Sequence, residues 1–115
     1  MTSAKRFGII GTGFWAQYQL AAWGEISGAQ CVAVCDSDRS KAEALASKQN
    51  VESVYEDAEE MLRCEALDFV DIISNAETHR PLAELAARHG NAVICQKPLA
   101  PTVEDARAMV NACAS

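Results

Sequence analysis

The stretch "RFGIIGTGFWA", residues 6–16, decides the fold of this chain. Its first part, residues 6–10, is an apolar run of the length expected for a buried strand. Two glycines follow at once, and residues 14–26 then carry apolar side chains at helical spacing. A strand, a glycine-containing turn and a helix in this order predict the first unit of a parallel sheet.

The same alternation continues to the end of the chain. The later apolar runs are nearly continuous, which is typical of parallel strands covered on both faces. We therefore predict a single doubly wound α/β domain with strand order 3-2-1-4-5. In its fourth helix, Pro81 suits the first turn and Gly90 suits the C-terminal end. The further strands are expected at residues 30–35, 67–73 and 92–95, with a short one near Val54 and Tyr55, and the further helices at residues 40–48, 57–64, 79–90 and 102–114.

Composition limits the classes of function. The chain has 115 residues, half of them hydrophobic, which suffices for one core and is too short for two ordinary domains. A net charge of -6 with scattered basic residues argues against a nucleic acid partner. No apolar run reaches the roughly 18 residues of a membrane span, and no signal peptide is recognisable, so we expect no membrane partner and a cytoplasmic location.

The five cysteines are an odd number and form no Cys-x-x-Cys pair. Cys31 and Cys35 fall on one face of a predicted strand, which indicates small buried apolar side chains in a reducing compartment. His79 and His89 are far from any metal-ligand spacing. We therefore expect no metal site.

The turn after the first strand is a candidate dinucleotide site. Gly11 permits a tight turn, and Gly13 leaves space for a pyrophosphate to approach the backbone. A small residue at Ala16 lets the helix pack closely on the strand, and the helix N-terminus favours an anion. The candidate cofactor-binding residues in this turn are Gly11, Thr12, Gly13, Phe14, Trp15 and Ala16.

An acidic residue at the end of the second strand supports this interpretation. Asp36 lies twenty residues after Ala16, where a carboxylate accepts hydrogen bonds from the adenosine ribose. Its charge would repel a 2'-phosphate, so NAD is favoured as the cofactor. NADP stays open because Arg39 lies close by. The alternative is that Asp36 caps a helix and the glycines form an ordinary turn.

The segment after the fourth strand would also pass beside the dinucleotide, because the first and fourth strands flank the point where strand order reverses. Ser74 and Asn75 are candidate cofactor contacts, although Asn75 and Thr78 are equally suited to cap the next helix. His79 is a further candidate contact. For its side chain, packing or capping is favoured over a role as catalytic base.

Lys97 and Pro98 follow the fifth strand and therefore reach the same edge of the sheet. A lysine there can contact the nicotinamide ribose or a substrate hydroxyl, as a hydrogen-bond donor or as an acid/base group. From spacing alone, a solvated surface lysine is an equal alternative.

Four segments, "GIIGTGFWA", "AVCDSDRSKAEALA", "SNAETHRPLAELAARHG" and "VICQKPLAPTVEDARAMV", together resemble the amino-terminal domain of the Gfo/Idh/MocA oxidoreductase family. The resemblance covers nearly the whole chain. It implies a Rossmann-type domain that binds NAD or NADP, in an enzyme that oxidises or reduces sugars, inositols or related polyols. It also implies that Lys97 assists at the reacting hydroxyl and the nicotinamide.

The sequence departs from the family pattern in three respects. Gln96 replaces the glutamate of the usual Glu-Lys-Pro, and residues 74–76 replace the usual Thr-Pro-Asn, although His79 is kept. The family's substrate domain is absent from these 115 residues, so we expect the chain alone to bind its cofactor without turnover. Truncated surfaces could also drive formation of a homo-oligomer.

Two other functions remain open from the sequence. The first is a non-catalytic nucleotide-sensing or protein-interaction module, which Gln96 and the missing domain favour. The second is another kind of Rossmann enzyme, such as a short homoserine- or aspartate-type dehydrogenase domain. The position of Lys97 and Pro98 disfavours this last interpretation.

Overall fold

The computed structural model describes residues 4–114. Strands and helices alternate throughout this range, as the apolar pattern predicts. The strands are β1 (Lys5–Ile10), β2 (Ala29–Cys35), β3 (Ser53–Tyr55), β4 (Phe69–Ile72) and β5 (Ala92–Cys95). The helices are α1 (Phe14–Trp23), α2 (Arg39–Gln49), α3 (Ala58–Cys64), α4 (Ala76–Arg88) and α5 (Val103–Ala114).

The five strands form one parallel sheet in the order β3-β2-β1-β4-β5, which confirms the predicted fold class and strand order. The last residues of the strands are in register across the whole sheet. The segments that follow the strands therefore leave the sheet along one common edge, and this edge carries the candidate site. The row of strand ends runs Tyr55, Cys35, Ile10, Ile72 and Cys95.

The core consists of two layers, one on each face of the sheet. On one face, Phe7, Ile9 and Val34 pack against Leu20 of α1 and Leu45 of α2. The opposite face packs against α3, α4 and α5. Both faces of the central strands are therefore buried, which is why their sequences read as nearly continuous apolar runs, whereas the edge strand β5 leaves Ala92 and Ile94 exposed. Buried residues of the second layer include Ile10, Cys35, Met61, Val70, Ile72, Ala83, Ala86 and Met109.

Two helix boundaries differ from the prediction. Helix α1 ends at Trp23, followed by Gly24, and the Ile26 that extended the predicted helix is 50% exposed. Helix α4 begins at Ala76 rather than at residue 79, so Pro81 lies inside the helix and not in its first turn. Pro81 is on the solvent-exposed side of α4, where the missing N–H group costs least because water can bind the freed carbonyl.

The cysteines are unpaired thiols, and burial sets their chemistry. Burial raises the pKa of Cys31 and of Cys35 to about 12, and that of Cys95 to about 11. These three thiols therefore stay protonated at neutral pH and act as apolar side chains. Within residues 4–114 no group of His, Cys, Asp and Glu side chains could hold a metal ion, and no helix is long and apolar enough to cross a membrane.

Candidate cofactor-binding site

The turn after β1 is held tightly between two neighbouring strands. Gly11 donates its N–H to Cys35 O at 2.8 Å. Its φ is 101°, a backbone conformation that residues other than glycine rarely adopt. A Cβ at this position would lie only 2.6 Å from Ser74 N. Glycine is therefore required at position 11 by both backbone conformation and space.

Gly13 serves a different purpose from Gly11. It is the N-cap of α1 with φ -75° and ψ -165°, and it makes no side-chain cap. A Cβ added there would meet nothing within 4 Å. No acidic residue lies in the first turn of α1, whereas Ala16 is fully buried against the sheet. The N-terminus of α1, with its unpaired N–H groups and partial positive charge, is thus open to an anion.

Asp36 is bonded directly to this turn. Its Oδ2 accepts hydrogen bonds from both Thr12 N and Thr12 Oγ1, each at 2.8 Å. Its Oδ1 accepts one from Asp38 N at 2.8 Å. A carboxylate has about four acceptor positions, so one remains on Oδ1 for a ligand hydroxyl. Asp36 does not cap α2, because Asp38 does so by accepting from Ser40 N.

The Asp36 carboxylate is held in its charged form. Partial burial disfavours the charge, but the hydrogen bonds from Asp38 and Thr12 outweigh burial and lower the pKa of Asp36 below its ordinary value. Lys41 adds a further electrostatic contribution in the same direction. Asp36 is therefore a negative group at neutral pH.

A cleft of about 380 Å³ lies between the segments that follow β1, β2, β3 and β4. Its apolar side includes Leu82 and Leu85 of α4, and its polar side includes Asp36, Glu56 and Asp57. A cleft lined by both apolar side chains and carboxylates suits an adenosine, with its aromatic base and its ribose hydroxyls. Sequence reasoning missed Glu56 and Asp57, although both follow a strand that ends level with β2.

The segment after β4 contributes Ser74 and Thr78 to the same cleft. Their hydroxyl oxygens lie 2.6 Å apart, and Thr78 Oγ1 donates to Asn75 O at 2.7 Å. Asn75 is the N-cap residue of α4, but its side chain makes no capping hydrogen bond. The Asn75 amide is therefore not used by the helix, and its contact with a cofactor stays a prediction.

His79 lies beneath the site rather than on its surface. It is 1% exposed, with Nε2 2.7 Å from Ser74 O and Nδ1 2.9 Å from Leu99 O. The ring therefore joins the segment after β4 to the segment after β5. This geometry supports the packing role for the His79 side chain, and any effect on a cofactor would pass through these two segments.

Lys97 lies at the predicted edge of the sheet, and its side chain is exposed. The strand ladder continues past β5, since Gln96 N donates to Ile72 O at 2.9 Å. The next residue is held by a side chain, because Lys97 N donates to Gln96 Oε1 at 3.0 Å. The peptide bond between Lys97 and Pro98 is cis.

Several predicted contact residues do not line the cleft, and Arg39, Phe14 and Trp15 are among them. Arg39 Nε lies 3.3 Å from Glu43 Oε1, one turn further along α2, and Arg39 does not line the cleft. Phe14 and Trp15 are exposed by 66% and 55%, and both rings pack against Tyr18. The two aromatic residues flank the open N-terminus of α1, and their cofactor contact stays a prediction.

Sequence reasoning also missed a polar cluster behind Lys97. Asp71 on β4 is fully buried, and its Oδ2 accepts hydrogen bonds from Gln19 Nε2 at 2.7 Å and Trp23 Nε1 at 2.8 Å. Gln19 in turn bonds Gln96. A signal was present, since an acid inside an apolar strand needs donors, and Trp15, Gln19 and Trp23 share one face of α1 at four-residue spacing.

Comparison with known proteins shows the family to which the chain belongs. A family model described as an oxidoreductase family with an NAD-binding Rossmann fold, the Gfo/Idh/MocA family, matches residues 5–115. The chain belongs to this family, so the resemblance inferred from the sequence is confirmed. The fold and the glycine turn place it in the class of NAD-binding Rossmann domains of oxidoreductases.

Individual relatives are sugar and inositol dehydrogenases. The chain is 51% identical to D-apiose dehydrogenase of Paraburkholderia graminis, over 97% of this chain and 30% of the relative. It is 32% identical to scyllo-inositol 2-dehydrogenase (NADP(+)) of Bacillus subtilis, over 93% of this chain and 33% of the relative. The chain thus spans about a third of the length of these relatives.

A solved structure has the same fold over almost the whole chain. An oxidoreductase from Agrobacterium radiobacter, in complex with NAD+, L-tartaric acid and magnesium, superposes with a TM-score of 0.94 at 38% identity. The match covers 97% of this chain and 33% of that one.

Proposed function

We propose that this chain is the cofactor-binding part of a dehydrogenase that transfers hydride between a nicotinamide cofactor and a hydroxyl-bearing carbon of a sugar or related polyol. The single observation that carries the proposal is the pairing of Asp36 with the glycine turn through Thr12. That pairing puts a ribose-binding carboxylate beside an open helix N-terminus. The relatives of the chain include a D-apiose dehydrogenase and a scyllo-inositol 2-dehydrogenase, which supports this substrate class.

The residues present suit a dinucleotide. The uncapped N-terminus of α1 would bind the pyrophosphate, with Gly13 leaving room for it. The remaining acceptor position of Asp36 would bind a ribose hydroxyl, and the cleft lined by Leu82 and Leu85 would take the adenine. When bound, the nicotinamide supplies the hydride chemistry, and the residues of this chain bind and orient it.

Within this proposal the cofactor is NAD rather than NADP. Asp36, Glu56 and Asp57 all line the cleft, and a 2'-phosphate there would meet negative charge. The pairing of Arg39 with Glu43 removes the nearest reason to expect NADP. Because NADP-dependent relatives exist, this choice is a property of these particular side chains and not of the family.

Lys97 is the proposed catalytic residue. Its exposed side chain follows β5, on the edge where Gly11, Asp36 and Ser74 also lie. There its ammonium group would donate a hydrogen bond to the reacting oxygen and help transfer the proton as the hydride leaves or arrives. A further domain would supply the other wall of the substrate pocket, as the length of the relatives suggests.

The proposal extends to the cellular setting. Five unpaired cysteines, two of them exposed, suit a reducing compartment, and we place the enzyme in the cytoplasm. The partner is a small sugar or polyol.

The decisive experiment is calorimetric titration of the 115-residue chain with NAD and with NADP. We expect NAD to bind at least about tenfold more tightly, equivalent to about 1.4 kcal/mol. The Asp36→Asn variant keeps the size of the side chain and removes its charge, so it should weaken NAD binding and narrow the difference between the two cofactors. Equal affinity for NAD and NADP in the wild type would refute the role given to the carboxylates.

Testing the role of Lys97 in turnover needs a longer protein. We suggest a chimaera in which this chain replaces the matching residues of the Paraburkholderia graminis D-apiose dehydrogenase, assayed for NAD reduction with D-apiose. The matched control is the same chimaera with Lys97→Met, which keeps the length of the side chain without its charge. Turnover that survives Lys97→Met would exclude this lysine from the chemistry.

A further inference from the structure

The polar cluster behind Lys97 has a fixed direction of hydrogen bonding. Trp23 Nε1 can only donate, and it shares Asp71 Oδ2 with Gln19. Gln19 must therefore present its NH₂ group to Asp71. Trp15 Nε1, which also can only donate, lies 3.0 Å from the other end of Gln19, which must be the oxygen. Two independent neighbours thus assign the same orientation to the Gln19 amide.

The orientation of Gln19 dictates what position 96 must carry. Gln19 Oε1 lies 3.0 Å from Gln96 Nε2, so the group at position 96 has to be a donor. The opposite end of Gln96 has to be an acceptor, because Lys97 N donates to Gln96 Oε1 at 3.0 Å. A glutamine satisfies both requirements. An ionised glutamate satisfies only the one at Lys97 and would turn a carboxylate oxygen towards Gln19 Oε1.

We propose that Gln19 is a positioning residue for Lys97: anchored on the buried Asp71, it orients Gln96, and Gln96 fixes the backbone that carries the lysine. This inference rests on the proposed function, in which Lys97 is catalytic. It explains why glutamine stands at position 96, because Gln96 is matched to Gln19. The hydrogen-bond network thus accounts for Gln96, which is not by itself evidence for a non-catalytic module.

Burial makes the arrangement specific. Asp71 has no exposed surface, and among the described residues its Oδ1 has no hydrogen-bond partner, so both of its donors act on the one remaining oxygen. Removing Gln19 would leave Asp71 with Trp23 alone. Asp71 is in register with Ile9 and Ile94, which places this anchor inside the sheet, one residue before the strand ends.

The first test compares thermal unfolding of the 115-residue chain with that of Gln96→Glu as a function of pH. At pH 7 we expect the midpoint of the variant to fall by about 4–8 °C, the effect of one hydrogen bond in a domain of this size. Below about pH 4, the protonated carboxyl group of the variant can again donate to Gln19, so the difference from wild type should shrink. The matched control is Gln30→Glu, which adds a carboxylate at an exposed position on β2 and should leave the midpoint nearly unchanged.

The pH dependence has a definite sign. The carboxyl group introduced by Gln96→Glu faces an acceptor, which raises its pKa in the folded variant, so protonation favours folding and the penalty is lost as the pH falls. The other titratable groups around position 96 are Asp71 on β4, the Cys95 thiol and Lys97, and they are common to variant and wild type. On α1 the titratable group is Tyr18, whose ring packs on Phe14 and Trp15. A pH-independent difference would contradict the donor requirement.

The second test separates positioning from mere stability. Gln19→Met removes the anchor without touching Lys97, and we expect it to shift the backbone amide resonance of Lys97 in an NMR spectrum of this chain. In the Gln19→Met background, adding Gln96→Glu should lower the free energy of unfolding much less than it does in the wild type. The proposal would be overturned if the Lys97 resonance did not move. It would also be overturned if the losses of unfolding free energy in the two single variants summed to the loss in the double variant. Neither readout depends on cofactor or turnover, so failure of the proposed function would be recognised separately.

Discussion

Replacing each of the two glycines after β1 by alanine is predicted to affect a different property: Gly11→Ala should lower the stability of the fold, and Gly13→Ala should lower the affinity for NAD. For Gly11→Ala, the φ of 101° costs about 1–3 kcal/mol, and three backbone atoms of residues 73–74 at 2.6–2.9 Å from the new Cβ cost about 1–3 kcal/mol more. The total of about 2–6 kcal/mol is a large part of the stability of an ordinary domain. At roughly 4–8 °C for each kcal/mol, the thermal midpoint should fall by about 8 °C or more.

For Gly13→Ala, the new methyl group meets nothing within 4 Å, and the φ of -75° suits alanine. A slightly poorer N-cap is offset by a less flexible unfolded chain, so the stability should stay within about 0.5 kcal/mol of wild type. In the proposed binding mode the methyl group would occupy space that the pyrophosphate needs, and NAD affinity should therefore fall at least about tenfold. For both variants, NAD affinity would be measured by calorimetric titration and stability by thermal unfolding. A stable Gly11→Ala chain would refute the geometry of the turn, and undiminished NAD binding by Gly13→Ala would refute the binding mode.

Three individual side chains give further predictions. Hydrogen bonds lower the pKa of Asp36 in the folded chain, so its ionised carboxylate stabilises the fold at any pH above about 3.9, the pKa of an aspartate in the unfolded chain. This stabilisation is lost as the pH falls through the pKa of Asp36 in the folded chain. The thermal midpoints of wild type and Asp36→Asn should therefore converge in acid. His79→Phe removes the ring nitrogens that lie within hydrogen-bonding distance of Ser74 O and Leu99 O, so at least one carbonyl loses its donor, and the free energy of unfolding measured with denaturant should fall by about 1–3 kcal/mol. His89→Phe, at an exposed position, should change it very little. Lys97→Ala should leave the unfolding midpoint of this chain unchanged and lower the turnover of the chimaera by about 10²–10⁴-fold.

The order of strands and the glycine turn were predictable because both depend on local patterns. Continuous apolar runs require burial on both faces, and a parallel sheet with helices on both sides provides it. In such a sheet the residues that follow the strands, including Asp36 and Lys97, lie along one edge, so their placement there could be predicted once the strands were recognised. The fold and the row of candidate residues therefore followed from the sequence alone.

The helix boundaries and the support behind the site were not predictable in the same way. The start of α4 was misjudged because proline is most common in a first turn, while Pro81 occupies an exposed position where its missing N–H costs little. The bonds from Asp71 to Gln19 and from Gln19 to Gln96 join residues 52 and 77 positions apart. The acid within the apolar strand and the four-residue spacing on α1 indicate that hydrogen-bond donors are needed and present, but which side chains meet depends on how α1 crosses the sheet.

Because the strands end level with one another, insertions and deletions have different effects at the two edges of the sheet. Residues added or removed at the far edge of the sheet, where helices return to strands, leave the row from Tyr55 to Cys95 unchanged. One residue inserted within β1 or β5 would move Gly11 or Lys97 by about 3.3 Å and turn every later side chain of that strand to the opposite face, unless a bulge absorbed it. Strand β2 already carries one such extra residue, at the register shift opposite Phe7 and Gly8, and its end is still level with β1. Changes in length are therefore tolerated freely at one edge of this sheet, whereas within the strands each one needs a compensating bulge.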